Sequence, residues 1–329
     1  MITKSITQQM NISLVMACLL LTHQVATAQS SSTNSENENS TTLKNFTGVT
    51  ESSSTSSSLK GILRQKKFED DSVITDTKLK ADEGSRSEYS MKFNLSFSGP
   101  PIGDLNNRKQ PNPDGSIGTY DTRISGSISG RYRISPETAL SLGSGVTALN
   151  PIQGVTRYDM NNPFIGYDIS SKWMNLQLRN AFSLIDATNP DYMAVGETGG
   201  VTYANYAVYN VNQSKLALAL ESSLSYWFFN RGYVKSDKTA GTYSLAFYPY
   251  LKYNATSKLN INTSLAIQYM NPRAADNPSV LSNKTISQQL ALGYAFSKDV
   301  YFSPNINFYP AKLTADSTTI NFSTTFSLL

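Results

Sequence analysis

Residues 216–229 read Leu216-Ala217-Leu218-Ala219-Leu220-Glu221-Ser222-Ser223-Leu224-Ser225-Tyr226-Trp227-Phe228-Phe229. Leu216, Leu218, Leu220, Leu224, Tyr226 and Phe228 keep to every second position, interrupted once at Ser222, with Ala217, Ala219, Ser223 and Ser225 between them. Side chains of a strand alternate between two faces, so this is a strand with one apolar face and one small, polar face. The aromatic cluster Tyr226-Trp227-Phe228-Phe229 at its end suits a membrane–water interface. A mean hydropathy of -0.31 excludes a bundle of membrane helices.

The same alternation runs through residues 87–329. Tyr89, Met91, Phe93, Leu95 and Phe97 form a first outward face. A second run has Tyr120, Thr122, Ile124, Gly126, Ile128, Tyr132 and Ile134 outward, with Asp121, Arg123, Arg131 and Arg133 inward. Further runs are marked by Leu140 to Val146, Ile165 to Ile169, Met174 to Leu184, and Val201 to Val211. Beyond 216–229 come Tyr243 to Tyr253, Leu259 to Tyr269, Ile286 to Phe296, Val300 to Phe308, and Ile320 to Leu328. About twelve strands result, an even number, as a closed antiparallel barrel of the bacterial type requires. The connections alternate: short turns at 135–137, 170–172, 213–215, 255–258 and 297–299 separate loops at 99–118, 149–163, 186–200, 230–241, 271–283 and 311–318. The expected fold is all-β, a transmembrane antiparallel up-and-down barrel with short periplasmic turns, long outer loops and both termini on the periplasmic side. A secreted β-sandwich also alternates, but it rarely needs so many regular hairpins.

Residues 1–28 have the layout of a secretory signal peptide. Lys4 supplies the positive start, Ile12 to Leu21 an apolar run, and Ala26-Thr27-Ala28 a cleavage site, giving a mature chain from Gln29. Cys18 and His23, the chain's single cysteine and histidine, both fall in the part removed. Residues 29–86 are expected to be a Ser/Thr/Asn-rich disordered periplasmic segment, because so polar a tract cannot offset its ordering entropy. Leu59, Ile62 and Leu63 give it one face of a transient helix, and the segment has a second reading as a periplasmic anchor or a segment tucked into the barrel mouth.

On these patterns residues 87–329 resemble the bacterial outer-membrane β-barrel class, with a porin-like layout. The resemblance implies a Gram-negative outer membrane as location, with lipid and lipopolysaccharide around the wall. It also implies insertion machinery that reads the final strand, although Leu329 ends one residue past the phase of that strand. Barrel enzymes of this class use a histidine, and the expected mature chain has none, so no enzyme is expected. Neither a cofactor nor a metal site is expected. A net charge of +4 is too small to suggest nucleic acid.

The inward face carries the function. Its residues are mostly small or polar, among them Ser125, Ser127, Ser129, Gly143, Gly145, Asn262 and Ser264. Lys92, Arg123, Arg131, Arg133, Arg179 and Lys252 point inward by phase, against Asp121, Asp168 and Glu221. Rings of Arg and Lys favour anions. Tyr206, Tyr248, Tyr250 and Tyr309 also point inward and offer flat faces to a solute. The expectation is passive diffusion of small hydrophilic solutes, preferably anionic, through a basic lumen. The alternative is a sealed barrel that presents loops outside and a tether inside.

Overall fold

The computed structural model describes residues 75–83, 87–211, 214–230, 240–274, 277–297 and 299–328. The expected signal segment, the tract up to residue 74 and the helix anticipated around Leu59 lie outside the described residues.

Twelve strands close into one barrel. They are β1 Tyr89–Pro101, β2 Arg123–Arg133, β3 Thr138–Leu149, β4 Arg157–Trp173, β5 Leu176–Asp186 and β6 Glu197–Asn210. They continue as β7 Leu216–Phe229, β8 Gly241–Asn254, β9 Leu259–Pro272, β10 Ser287–Ala295, β11 Val300–Phe308 and β12 Thr319–Leu328. Each strand pairs antiparallel with its neighbours in sequence, and β1 pairs with β12 to close the ring, as at Phe93↔Phe326. Closure matters because an open edge would leave backbone N–H and C=O groups without partners in hydrocarbon.

The alternation read from the sequence is the inside–outside pattern of the wall. Leu142, Ile165, Leu184, Leu218 and Leu292 are exposed on the outer surface. Gln177, Val208, Ala217 and Asn260, on the opposite phase, are buried inside. Phenylalanines tile part of the exterior: Phe97 stacks on Phe322 at 5.4 Å, and Phe302 lies 5.9 Å from Phe322. A closed, apolar-belted barrel of even strand number is the architecture of bacterial outer-membrane proteins.

Several boundaries differ from the sequence reading, among them β6, which begins at Glu197 inside the expected 186–200 loop. The second apolar run is not one strand from Tyr120 to Ile134: Ile117–Asp121 pairs with Lys109–Pro111 in a loop hairpin, and the barrel strand begins at Arg123. The break is at Thr122, read as outward but buried, where its carbonyl accepts from Asn150 N–H at 2.7 Å. Asn150 turns the chain there with φ of 56°, a left-handed conformation that Asn tolerates. The turn expected at 170–172 sits instead at Met174-Asn175, since β4 and β5 stay paired as far as Trp173↔Leu176. Lastly β4 begins at Arg157, inside the expected 149–163 loop, and its register against β3 shifts between Gly143 and Gly145, next to Pro163, which has no N–H to give the ladder.

Candidate functional site

The lumen is not empty at its short-turn end. Residues 75–83, expected to be disordered, lie inside the barrel, and Thr77–Glu83 form a helix, α1. Seven residues of helix are marginal in water, so its order comes from the wall around it. Asp76 starts it. Its Oδ1 accepts from the N–H groups of Lys78 and Leu79, at 3.0 and 3.1 Å, as an N-cap side chain does. Its other oxygen, Oδ2, takes the ammonium of Lys252 on β8 at 2.6 Å, with both side chains almost fully buried. The amide of Gln177 on β5 holds the entry to the helix: Thr75 and Asp76 donate their N–H groups to its Oε1 at 2.7 and 3.0 Å.

The far end of the helix is held by cations. The last carbonyls of a helix lack intrahelical donors and carry the negative end of its dipole. Here Lys92 on β1 donates to Asp82 O at 3.2 Å, Arg131 on β2 to Asp82 O at 3.1 Å and also to Glu83 O, and Arg133 on β2 to Glu83 O at 3.2 Å. In a ring of twelve strands β2 and β8 stand opposite one another. The helix therefore spans the lumen across its width, its capping acid on Lys252 and its carbonyl end on Arg131 and Arg133.

Its middle is anchored by packing and charge. Leu79 is 1% exposed and sits among Tyr206, Val208, Ala217 and Ala219, with Tyr250 against the same cluster. Burying a leucine this fully contributes on the order of 2 kcal/mol. Lys78 reaches Glu221 on β7 at 3.0 Å and lies over the rings of Tyr206 and Tyr250, 4.5 and 4.9 Å from their centroids. Tyr206 and Tyr250 meet edge to face at 6.1 Å, and the Tyr250 hydroxyl donates to Glu221 at 3.1 Å. Beside the helix a cavity of about 90 Å³ remains, lined by Lys78, Lys252, Asn260, Asn262, Gln289 and Tyr301 among others. That is room for several waters.

The six cations singled out from the sequence thus fall into three groups, and the four tyrosines lie at different heights of the wall. Lys92, Arg131, Arg133 and Lys252 bind the helix. Arg179 pairs with Asp168 at 2.5 Å, and Asp168 also meets Arg131 at 3.4 Å, so this group sits in the same end of the barrel. Arg123 stands apart: it is exposed at the opposite end of β2, eight residues from Arg131, or about 26 Å along a strand. Three arginines of one strand therefore do not form one stripe. Of the aromatics, Tyr206 and Tyr250 face Lys78, Tyr248 accepts from Gln268 at 2.7 Å farther up the wall, and Tyr309 lies past the end of β11, bridged to Lys312 in the loop. Asp121 is a loop residue. Partial burial works against its charge, but Lys109 at 2.9 Å and the Asn150 amide outweigh that and hold its carboxyl below the ordinary range.

Asp76, Lys78, Leu79 and Gln177 are the participants that sequence reasoning missed. The one signal available was an Asp two residues before a short run of helix formers, Lys78 to Glu83, followed by a strand pattern.

No family model matches the chain, and no curated protein matches it. Solved structures do. An outer membrane channel from Pseudomonas putida F1 aligns at 10% identity and a TM-score of 0.47, over 73% of this chain and 95% of that one. The KdgM porin in complex with disordered oligogalacturonate aligns at 12% identity and a TM-score of 0.42, over 73% and 99%. The NanC porin aligns at 7% identity and a TM-score of 0.42, over the same shares.

Proposed function

We propose that this chain is an outer-membrane pore for small hydrophilic solutes, preferably anionic, whose periplasmic mouth is occupied by its own residues 75–83. One observation carries the reading: each of the twelve barrel strands pairs with two barrel neighbours, and the helix adds no strand to the ring. In the described contacts the wall holds the helix segment with its side chains and not with its strand backbone, so the wall stays closed whether or not the helix is in place. With the helix withdrawn, Lys92, Arg131, Arg133, Arg179 and Lys252 would line the mouth against only Asp168 and Glu221. Positive rings of this kind favour anions.

The second reading is a barrel that never conducts. The buried Asp76–Lys252 pair favours it, since a helix locked at both ends resembles a permanent filling as much as a gate. Planar-bilayer recording separates the two. The full chain is expected to give small or rare conductance steps, and a chain lacking residues 29–86 large, anion-selective ones. Heat-modifiable gel mobility verifies that both are folded. No conductance from the folded shortened barrel overturns the pore, and a cation preference overturns the anion part alone.

A further inference from the structure

The outer wall carries a break in its apolar surface. On β5 the outward phase runs Leu176, Leu178, Asn180, Phe182, Leu184, and on β6 it runs Val201, Tyr203, Asn205, Ala207, Tyr209. Phe182, Leu184, Val201 and Tyr209 on these phases are exposed, which fixes the face. Asn180 pairs directly with Asn205, and Asn205 with Ser222 on β7, so three polar residues sit side by side on three adjacent strands. They lie near the middle of their strands, with apolar residues above and below, at the depth where hydrocarbon would surround them.

The patch satisfies only part of its own hydrogen-bonding capacity. Asn180 Oδ1 accepts from the Tyr203 hydroxyl at 2.7 Å and from Asn205 Nδ2 at 2.8 Å. The described side-chain bonds use neither the amide N–H groups of Asn180 nor the amide oxygen of Asn205, so donor and acceptor capacity remains side by side on the outward-phase residues. Lipid tails offer neither, and an unmet polar group in hydrocarbon is costly. Polar side chains at this depth therefore mark contacts with other protein groups.

We propose that the β5–β6 face is where a second copy of this chain docks. The self-complementary amide pair points to that occupant. Barrels insert in one direction, so two copies related by a two-fold axis must have that axis along the membrane normal. An axis passing between β5 and β6 sets Asn180 of each copy opposite Asn205 of the other, and two donor–acceptor bonds form at once, as an isologous contact requires. Ala207 and Ser222, small residues beside the pair, allow the walls to approach.

The full chain in phospholipid vesicles tests this. Cys18 is the only cysteine in the sequence and falls in the expected signal segment, so an Ala207→Cys variant carries one thiol per mature chain. With a short bis-thiol reagent it is expected to give a cross-linked dimer as the major product, whereas Ile306→Cys, outward on β11, gives background only. Adding Asn180→Leu and Asn205→Leu to Ala207→Cys is expected to reduce the cross-linked fraction at least fivefold while heat-modifiable mobility shows a folded barrel. Equal cross-linking at Ala207→Cys and Ile306→Cys, or cross-linking unchanged by the two leucines, overturns the proposal. So does single-step photobleaching of the labelled wild-type chain at one fluorophore per spot.

Discussion

At the short-turn end of the lumen the wall presents Lys92, Arg131, Arg133, Arg179 and Lys252, and a helix from elsewhere in the chain crosses between them. Farther toward the loops the wall also presents many neutral groups that serve one another. Ser125 and Thr147 share a hydrogen bond at 2.8 Å, Thr147 donates to Asn161 at 2.7 Å, Thr202 and Ser225 meet at 2.9 Å, and Thr325 donates to Asn94 at 3.0 Å. Neutral hydroxyls and amides both donate and accept, so adjacent strands can complete each other. Guanidinium and ammonium groups only donate; the carboxylates of Asp168 and Glu221 offset two of the five positive charges, and the Pro136 carbonyl takes one bond from Arg133 at 3.1 Å. The charged end also draws acceptors from outside the wall. Asp76 and the final carbonyls of α1 supply them.

The sharpest way to break this contrast is to remove the helix's capping acid. Asp76→Ala deletes the N-cap and leaves Lys252 buried without its partner. Breaking one side of a buried pair costs about 3–5 kcal/mol, which exceeds what Leu79 contributes by burial. The helix is expected to leave the lumen, and conductance in planar bilayers to rise toward that of the chain lacking 29–86. Adding Lys252→Met removes the stranded charge and is expected to restore part of the closure. If Asp76→Ala conducts no more than wild type, the pair does not hold the plug.

A change on the outer face should act on the whole barrel and leave the contrast between the two ends untouched. Ile128 lies on the lipid side of β2 and is exposed there. Ile128→Arg costs about 2–4 kcal/mol at mid-membrane depth, so the heat-modifiable folded band is expected to shrink or vanish. Arg131→Glu, three residues away and inward, is expected to keep that band. The reverse outcome would mean that the faces of β2 have been exchanged.

Leu79→Ala tests the packing half of the plug without touching charge. Burial of Leu79 contributes about 2 kcal/mol, below the cost of breaking the ion pair. The expected record is a closed channel with brief openings, since both ends of the helix keep their partners. A steady open state would show that packing at Tyr206, Val208 and Ala217 dominates.

How far the sequence could be read follows the same division. Strand number and inside–outside phase were legible because lipid enforces period two on the strands, and residues 216–229 repeat it with one interruption, at Ser222. The turn at Met174-Asn175 was missed because its residues carry no Gly or Pro, and Met174 continues the apolar alternation of β5. The helix was missed for a different reason. Thr77 to Glu83 holds one large apolar residue among charges, which reads as a solvated run. Its stabilising partners lie far along the chain: Lys252 is 176 residues from Asp76, and Gln177 is 101. No local pattern encodes contacts of that separation. The six cations were legible as inward by phase, but phase says nothing of height, so Arg123 and Arg131 looked like neighbours.

That height difference gives the smallest effect, and the one that reports most directly on the contrast between the two ends. Arg123 is exposed at the loop end, and surface substitutions of this kind stay within about 0.5 kcal/mol, so Arg123→Glu should leave folding and the plug intact. About 26 Å separates it from Arg131 along β2. The screening length at 0.15 M salt is about 8 Å, so the two charges act on a permeating ion independently. In the chain lacking 29–86, Arg131→Glu is expected to move the reversal potential measured across a salt gradient toward cations. Arg123→Glu should move it less, and only at low salt. In the full chain the order should invert, because Arg131 is covered by Asp82 and Glu83 while Arg123 still faces water. An identical order in both chains would mean that residues 75–83 do not shield the charged end, and that the barrel conducts past its helix.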